Sequence, residues 1–249
     1  RRFLSIVRDG IVVRGAGEAT VLRLVDGTES PVVVIGDWER RTPRRPTSHV
    51  TLERLRIVGG GAGGGECHPG LPYLTNSAVV IRAGRDVGIR DATITACRSA
   101  CILAEHDTRR VTIESDDVSG SVWDGIALNR TSEARVVGNA IHDNRAAGIS
   151  TEHLEDSVIA DNVVRDDGTH AVYLSDSYRN AIAGNRFSGN VVSGVFLACA
   201  VRDREPVLRC WRDSMSAGNA FARNRFVDDR VGYMVGANAA AGCARPGKR

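Results

Sequence analysis

Three consecutive stretches of this sequence have the same length and the same pattern: DGIALNRTSEARVVGNAIHDNRA (124–146), AGISTEHLEDSVIADNVVRDDGT (147–169) and HAVYLSDSYRNAIAGNRFSGNVV (170–192). Each is 23 residues long, and a fourth copy begins at SGVFLACAV (193–201). Asn224 continues the asparagine position beyond an insertion. Aligned in this way, like residues form the columns Ile126, Ile149, Val172 and Val195; Leu128, Thr151, Leu174 and Leu197; Val136, Ile159 and Ile182; and Asn139, Asn162 and Asn185.

Each repeat therefore contains two or three very short alternating strands separated by Asn, Asp and Gly turns. Such a unit cannot bury its apolar face alone, so successive units are expected to stack on each other. No segment keeps a 3.6-residue period for long, which excludes a helical repeat. Stacked asparagines hydrogen-bond to each other and to turn backbone, so the Asn column is expected to be structural.

This pattern of short strands with a fixed turn asparagine resembles the right-handed parallel β-helix of the pectin-lyase-like superfamily. The resemblance covers most of the chain, including NSAVVIRAGRDVGIRDATITACRS (76–99) and, as a first coil, DGIVVRGAGEATVLRL (9–24). It implies an all-β fold: a single-stranded right-handed parallel β-helix with coils of about 23 residues and three loop insertions. We expect residues 1–249 to form one domain.

Composition limits the function classes. The net charge is only +3, and 25% of the residues are charged, so charge alone does not indicate a nucleic-acid partner. The only lysine is Lys248, which excludes a catalytic lysine from the body of the chain. No apolar run approaches the ~20 residues of a membrane span. The chain begins at Arg1 without a Met, which indicates a processed or trimmed fragment from which a signal peptide could have been removed.

The six cysteines lack the paired CxxC spacing of zinc sites. An even number near expected loops predicts two or three disulfides and a secreted or periplasmic protein. Cys199–Cys210 is the favoured pair, because it would close the base of a long insertion.

Three insertions interrupt the repeat: GDWERRTPRRPTSH (36–49), GGGAGGGECHPGLPYLT (59–75) and CAVRDREPVLRCWRDSMS (199–216). The Gly-rich run of the second insertion (59–65) lacks the Gly-Lys-Ser/Thr ending of a phosphate-binding loop and is interpreted as a flexible loop. The first and third leave their coils just past the first strand, so they are expected to wall the ends of a groove. Trp38 and Trp211 in these loops either stack on a sugar or pack onto the helix.

Candidate chemistry concentrates at one edge of the repeat. Alternation predicts that Glu152 points outward and that His153 begins a turn. Neighbouring coils place other polar residues beside them, and the predicted patch is Arg130, Glu152, His153, Tyr173 and Asp176, with Asn129 as a substrate contact.

These residue types suit abstraction of the C5 proton of a uronic acid. Arg130 would neutralise the substrate carboxylate, and His153 would be the base, oriented by Glu152 or Asp176. Tyr173 would donate a proton in β-elimination or epimerisation, while hydrolysis by Glu152 and Asp176 is a third reaction. Alginate epimerases of the superfamily have an Asp-Pro-His motif where this chain has STEHLED (150–156), so no family residue is carried over.

The sequence thus favours an extracellular lyase or C5-epimerase acting on a uronate-containing polysaccharide. A non-catalytic glycan-binding or structural β-helix, such as an adhesin or periplasmic scaffold, is the alternative, because the fold hosts both. A polysaccharide is the expected partner, and nucleic acid is not. No cofactor or metal site is expected, although calcium stays open. The oligomeric state cannot be read from the sequence.

Overall fold

The chain folds into a parallel β-helix, in which each coil contributes one short strand to each of three faces. The computed structural model describes residues 3–25, 28–61, 65–198, 201–203, 209–210 and 216–235. Coils one to four contain β1 (Leu4–Ile6), β2 (Val12–Arg14), β3 (Val21–Arg23); β4 (Val33–Ile35), β5 (Thr47–Glu53), β6 (Arg56–Val58); β7 (Cys67–His68) and β8 (Leu71–Thr75) of an insertion; β9 (Val79–Arg82), β10 (Gly84–Arg90), β11 (Thr93–Thr95); and β12 (Ile102–Glu105), β13 (Thr108–Glu114), β14 (Asp117–Ser119). The remaining coils contain β15 (Ile126–Ser132), β16 (Arg135–Val137), β17 (Ala140–His142); β18 (Ile149–Glu155), β19 (Val158–Ala160), β20 (Val163–Arg165); β21 (His170–Ser175), β22 (Ala181–Ala183), β23 (Arg186–Ser188); β24 (Ser193–Ala198), β25 (Val201–Asp203), β26 (Arg209–Cys210), β27 (Ala220–Ala222), β28 (Arg225–Val227); and β29 (Tyr233–Val235).

Every coil-to-coil pairing is parallel, as the repeat predicts. Face 1 comprises β1, β4, β9, β12, β15, β18, β21, β24 and β29; face 2 runs from β2 to β27; and face 3 runs from β3 to β28. The predicted apolar columns are confirmed, since Ile126 pairs with Ile149 and Ile149 with Val172. These side chains are fully buried in one continuous core. Among the described residues there is no helix with the length and apolar character of a membrane span.

Single residues with positive φ turn the chain between faces. The bend after the face 2 strands is made by Gly138, Asp161 and Gly184, with φ of 68°, 55° and 69°. Glycine and aspartate recur there because they tolerate the left-handed region that most side chains avoid. A change of face within one residue limits the length of chain that lies on any one face.

The asparagine column forms a hydrogen-bonded ladder inside the bends. Asn162 Oδ1 accepts from the backbone N–H and the side-chain amide of Asn139, at 3.0 and 2.9 Å. Asn185 and Asn224 repeat the arrangement in the following coils. Since buried polar groups are costly unless paired, this ladder stabilises the turns and accounts for the column structurally.

The second insertion forms a pair of strands after its Gly-rich run, of which residues 62–64 lie outside the described part of the chain. Its residues Cys67–His68 and Leu71–Thr75 form an antiparallel hairpin, and Leu74 is fully buried. The hairpin covers the outward side of face 1, where Val34, Val80 and Leu103 form a second apolar cluster with Leu74. Leu71 and Tyr73 of the same strand are partly buried and pack against this cluster.

The structure contains a disulfide that the sequence reasoning did not single out, Cys97–Cys101, at the turn between β11 and β12. Cys67 is a free, exposed thiol. The favoured Cys199–Cys210 pair lies outside the residues whose side chains are described, as does Cys243.

Candidate functional site

A groove of about 570 Å³ lies on the outward side of face 1. Its floor is one outward column in which Leu103, Ala127, Ser150 and Tyr173 follow each other coil by coil. The small side chains of Ala127 and Ser150 leave a depression between larger neighbours. Glu66 and Thr75 at the β7–β8 hairpin line one end, and His170 and Tyr173 of coil seven line the other.

The groove is acidic. Four carboxyl groups line it, from Glu66, Glu105, Asp124 and Glu152, and no arginine or lysine among the described residues does so. Glu105 is already paired, because its Oε1 accepts from Arg82 Nε at 2.7 Å. Glu152 is exposed on β18 and forms no ion pair with any residue that the structure describes. The groove therefore offers carboxyl oxygens rather than cations to a ligand.

Asp124 is the buried acid of the groove. It lies in the turn before β15 and is only 7% exposed. Its Oδ1 accepts from the Ala147 N–H at 2.9 Å, and its Oδ2 accepts from Ser150 Oγ at 2.6 Å. Burial raises the pKa of Asp124, although these hydrogen bonds act in the opposite direction. A carboxyl group with a raised pKa beside an open groove is suited to act as an acid.

Aromatic rings form the far end of the groove. The His170 ring stacks on Phe196 with centroids 4.8 Å apart, and Tyr173 packs against both rings. Burial lowers the pKa of His170 to about 4, so its imidazole is neutral near pH 7. Trp123 lines the rim and is 54% exposed, which leaves a ring face open for stacking.

The residues of the predicted column occupy one bend at the edge of face 1: Arg130 lies within β15, His153 lies within β18, and Asp176 directly follows β21. All three have positive φ, at 47°, 57° and 47°. His153 Nδ1 lies 2.6 Å from Oδ2 of the fully buried Asp176, and the Tyr178 hydroxyl donates to Asp176 Oδ1. One Arg130 nitrogen donates to both carboxylate oxygens of Asp107 at 2.9 Å.

The predicted catalytic patch is divided by this bend. Glu152 and Tyr173 line the groove, as does the predicted substrate contact Asn129. Arg130 and His153 instead border a separate depression of about 320 Å³. The division arises because the left-handed bend turns the side chain at position 153 away from the side to which position 152 points.

The structure describes one of the two tryptophans that were predicted to contact substrate. Trp38 Nε1 donates to Ser5 Oγ at 2.7 Å, and its ring meets Phe3 edge to face. Trp38 thus packs onto the helix at one edge, while it also lines a cavity of about 300 Å³ beside the first insertion. No residue of the first insertion lines the face 1 groove, so the wall predicted from that insertion is not found there. Trp211 and most of the third insertion lie outside the described residues, so the wall predicted from the third insertion stays a prediction.

Sequence reasoning missed Trp123, Asp124 and Glu66 and left His170 at the margin of the patch. A signal was present: Asp124, Ala147 and His170 begin the three repeats, so one turn position varies between an acid, a small residue and an imidazole. In the described part of the chain, no group of three or more His, Cys, Asp or Glu side chains is arranged so that it could hold a metal ion.

The comparisons with known proteins agree with this architecture. The family model described as "Right handed beta helix region" matches residues 77–205, and the chain belongs to that family. No curated protein matches the sequence.

Solved structures with the same fold are distant in sequence. The Dettilon tailspike protein gp208 is 15% identical with a TM-score of 0.62, over 91% of this chain and 54% of that one. DFA-IIIase from Arthrobacter chlorophenolicus A6 without its lid is 12% identical with a TM-score of 0.60, over 95% and 78%. The periplasmic alginate epimerase AlgG is 11% identical with a TM-score of 0.56, over 93% and 61%. At these identities the likeness concerns the fold alone.

Proposed function

We propose that this protein is a carbohydrate-active enzyme that binds a saccharide in the face 1 groove and uses Asp124 as its acid. The observation behind the proposal is a buried carboxyl group with a raised pKa, held by Ser150 and opening into a groove with a second carboxyl group at Glu152. Two proteins with a similar fold are, by name, an alginate epimerase and DFA-IIIase. Trp123 at the rim supplies a stacking surface for a sugar ring.

The chemistry that suits this arrangement is cleavage or transfer of a glycosidic bond. Asp124 would protonate the leaving oxygen, and Glu152 would act as base toward water or as the nucleophile. The neutral imidazole of His170 and the hydroxyl of Tyr173 would bind sugar hydroxyl groups at the aromatic end.

The charge of the groove bears on the substrate class. A uronate carboxylate would meet Glu66 and Glu152 without a compensating cation among the described lining residues. Like charges brought together at a binding surface cost several kcal/mol. For this groove we therefore propose a neutral or amino sugar in place of the uronate expected from the sequence.

Uronate chemistry is a second candidate, located at the depression beside His153. The observation that favours it is the contact chain Tyr178–Asp176–His153, in which a buried carboxylate orients an imidazole. Such a pair supports a general base and stabilises the imidazolium that forms. Arg130 borders the same depression and would neutralise the substrate carboxylate, while Tyr173 would have to donate from across the bend.

The test compares two pairs of variants on a panel of neutral, amino and uronate polysaccharides. Asp124→Asn and Glu152→Gln are expected to lower release of reducing ends from a neutral or amino polymer by about 100-fold or more, the usual contribution of acid–base groups. His153→Ala and Arg130→Ala should leave that activity within a few-fold of wild type. Glu114→Gln, on face 2, is the matched control for loss of a carboxylate.

The outcomes separate the candidates. Unsaturated products or solvent-deuterium exchange from a uronate polymer, lost in His153→Ala but kept in Asp124→Asn, would move the assignment to the depression. Polymer binding without any product would favour the non-catalytic alternative. Equal activity of Asp124→Asn and wild type would remove the groove proposal.

We also propose that the protein works outside the cytoplasm, in the periplasm or after secretion. The support is the Cys97–Cys101 disulfide, because such bonds persist mainly in oxidising compartments.

A further inference from the structure

A cavity distinct from the groove lies between the first insertion and strand β1. Its volume is about 300 Å³, which is within the range of small-ligand sites. Its lining includes Ser5 and Trp38 together with three arginines of the insertion, Arg40, Arg44 and Arg45. It lies on the same face as the groove, since Ser5 is in the column of Val34, Val80, Leu103 and Ala127. Four coil spacings, about 19 Å, separate Ser5 from Ala127.

The backbone that carries these arginines is fixed by a buried guanidinium. Arg82, fully buried on β9, donates through Nη1 to the carbonyls of Asp37 and Arg40, both at 2.9 Å, and through Nη2 to that of Arg41 at 2.6 Å. Since a planar guanidinium presents its donors in a rigid fork, three carbonyls bound to one group define the shape of the loop. The loop is thus a fixed platform for its outward side chains.

Trp38 is held as firmly at the base of the cavity. Its Nε1 donates to Ser5 Oγ, and its carbonyl accepts from the Tyr73 hydroxyl at 3.2 Å. Phe3 packs against the indole edge to face. A tryptophan fixed on both sides in this way presents its ring without loss of side-chain freedom on binding.

The charge balance of the cavity favours an anion. Asp37 and Glu39 face three guanidinium groups, and Arg40 forms a long contact of 3.4 Å with Asp37. Arg44 and Arg45 are exposed and form no ion pair with a described residue, although Arg45 Nη2 reaches the Val7 carbonyl at 3.4 Å. Guanidinium groups match carboxylate and sulfate oxygens in geometry as well as in charge.

We propose that this cavity binds a sugar unit carrying an oxyanion, a carboxylate or a sulfate, with Arg44 and Arg45 contacting the anion and Trp38 the sugar ring. The site goes beyond the groove in location and in charge. The arginines of the cavity select an acidic sugar, whereas the carboxyl groups of the groove disfavour one. Its test measures binding and does not depend on turnover in the groove.

The experiment is an NMR titration of the full chain, following the Trp38 indole N–H, which is assigned with Trp38→Phe. The probes are sodium glucuronate, sodium sulfate and glucose at constant ionic strength. We expect saturable shifts with glucuronate, weaker binding of sulfate, and no saturation with glucose at the same concentrations. Arg44→Gln/Arg45→Gln should weaken glucuronate binding about tenfold or more, through loss of charge-assisted hydrogen bonds.

Arg225→Gln is the matched control, since Arg225 is exposed on β28 of face 3 and forms no ion pair with a described residue. An equal loss in this control, or an absent response to both anions, would overturn the site. Sulfate binding as tight as glucuronate binding would overturn its assignment to a sugar. Thermal unfolding of each variant without ligand, unchanged from wild type, excludes misfolding as the cause of lost binding.

Discussion

The acidic residues of this protein differ mainly in how deeply the neighbouring coils bury them. Asp124 and Asp167 both belong to 23-residue repeats that also contain exposed aspartates, such as Asp143 and Asp166. Sequence spacing identified their turns, but it could not give their burial, because covering groups come from adjacent coils and from the β7–β8 hairpin. For this reason the groove acid was missed, whereas His153 and Asp176 were correctly placed side by side.

Asp167 provides a prediction at this scale. It occupies a buried ladder between Asn144 and Asn190, where its Oδ1 accepts two bonds from Asn144 and its Oδ2 has no hydrogen-bond partner among the described residues. Burial raises its pKa to about 8. The coil-equivalent Asn190 uses its amide to donate to the Val164 carbonyl, so an amide at position 167 would have the Ile141 carbonyl as its acceptor.

We expect Asp167→Asn to increase the free energy of unfolding by about 1–3 kcal/mol at pH 7. Because the folded-state pKa is raised, the stability that Asp167 contributes is complete below about pH 4 and is lost as the pH rises toward 8. The advantage of the variant should therefore grow over that range and then level off. Urea unfolding at a series of pH values measures it, with exposed Asp166→Asn as control; a constant difference at every pH would contradict the argument.

The insertions are the elements that distinguish this β-helix from a bare repeat. The positions of all three insertions were predicted from interruptions of the 23-residue period. The period does not predict how an insertion folds, as the strand Leu71–Thr75 and the buried Arg82 show. Alternation alone would direct Arg82 outward to solvent, yet the first insertion covers it completely. The fold of an insertion depends on tertiary contacts that have no period to reveal them.

Arg82 is the subject of a prediction at the scale of this element. Replacing it with Met retains the apolar stem but removes donors to the carbonyls of Asp37, Arg40 and Arg41 and to Glu105. Removing one partner of a buried charged network costs about 3–5 kcal/mol. We expect Arg82→Met to reduce the free energy of unfolding by that order and to raise amide exchange within residues 36–46.

The matched control for this prediction is Arg90→Met on face 2, whose side chain is half-exposed and contacts Glu53 at 3.5 Å. An effect of about 1 kcal/mol or less is expected there. If both variants lost equal stability, with no local change in exchange near residue 40, the anchoring role of Arg82 would be refuted.

The whole molecule was the most predictable level, because one repeat determines strand order, register and core together. Ile126, Ile149 and Val172 were aligned from spacing alone, and their pairing follows that alignment. What the repeat did not give is the direction of side chains at the bends. Arg130 and His153 were therefore grouped with Tyr173, although a left-handed residue separates the two sides.

Stacking also predicts a gradient of stability along the helix. Each coil contacts only its neighbours, so protection depends on burial from both sides. In coil one, the core position Leu4 is 40% exposed and the core positions Val13 and Leu22 are only partly buried, whereas the core valine and isoleucine positions of coils five to seven are fully buried. We expect backbone amides of β15, β18 and β21 to exchange at least about 100-fold more slowly than those of β1 to β3. Hydrogen exchange measured by mass spectrometry tests this, and uniform protection would indicate all-or-none unfolding.

The common column from Ser5 to Tyr173 has a consequence for how such a surface changes over time. Each coil advances the column by one strand spacing, so distances along face 1 change in steps of about 4.8 Å. Duplication of one 23-residue coil between the acidic groove and the arginine cavity would increase the distance between them by one strand spacing and leave the lining of both intact. Length selectivity toward a polymer could thus be reset by copying a segment, without redesign of either binding surface.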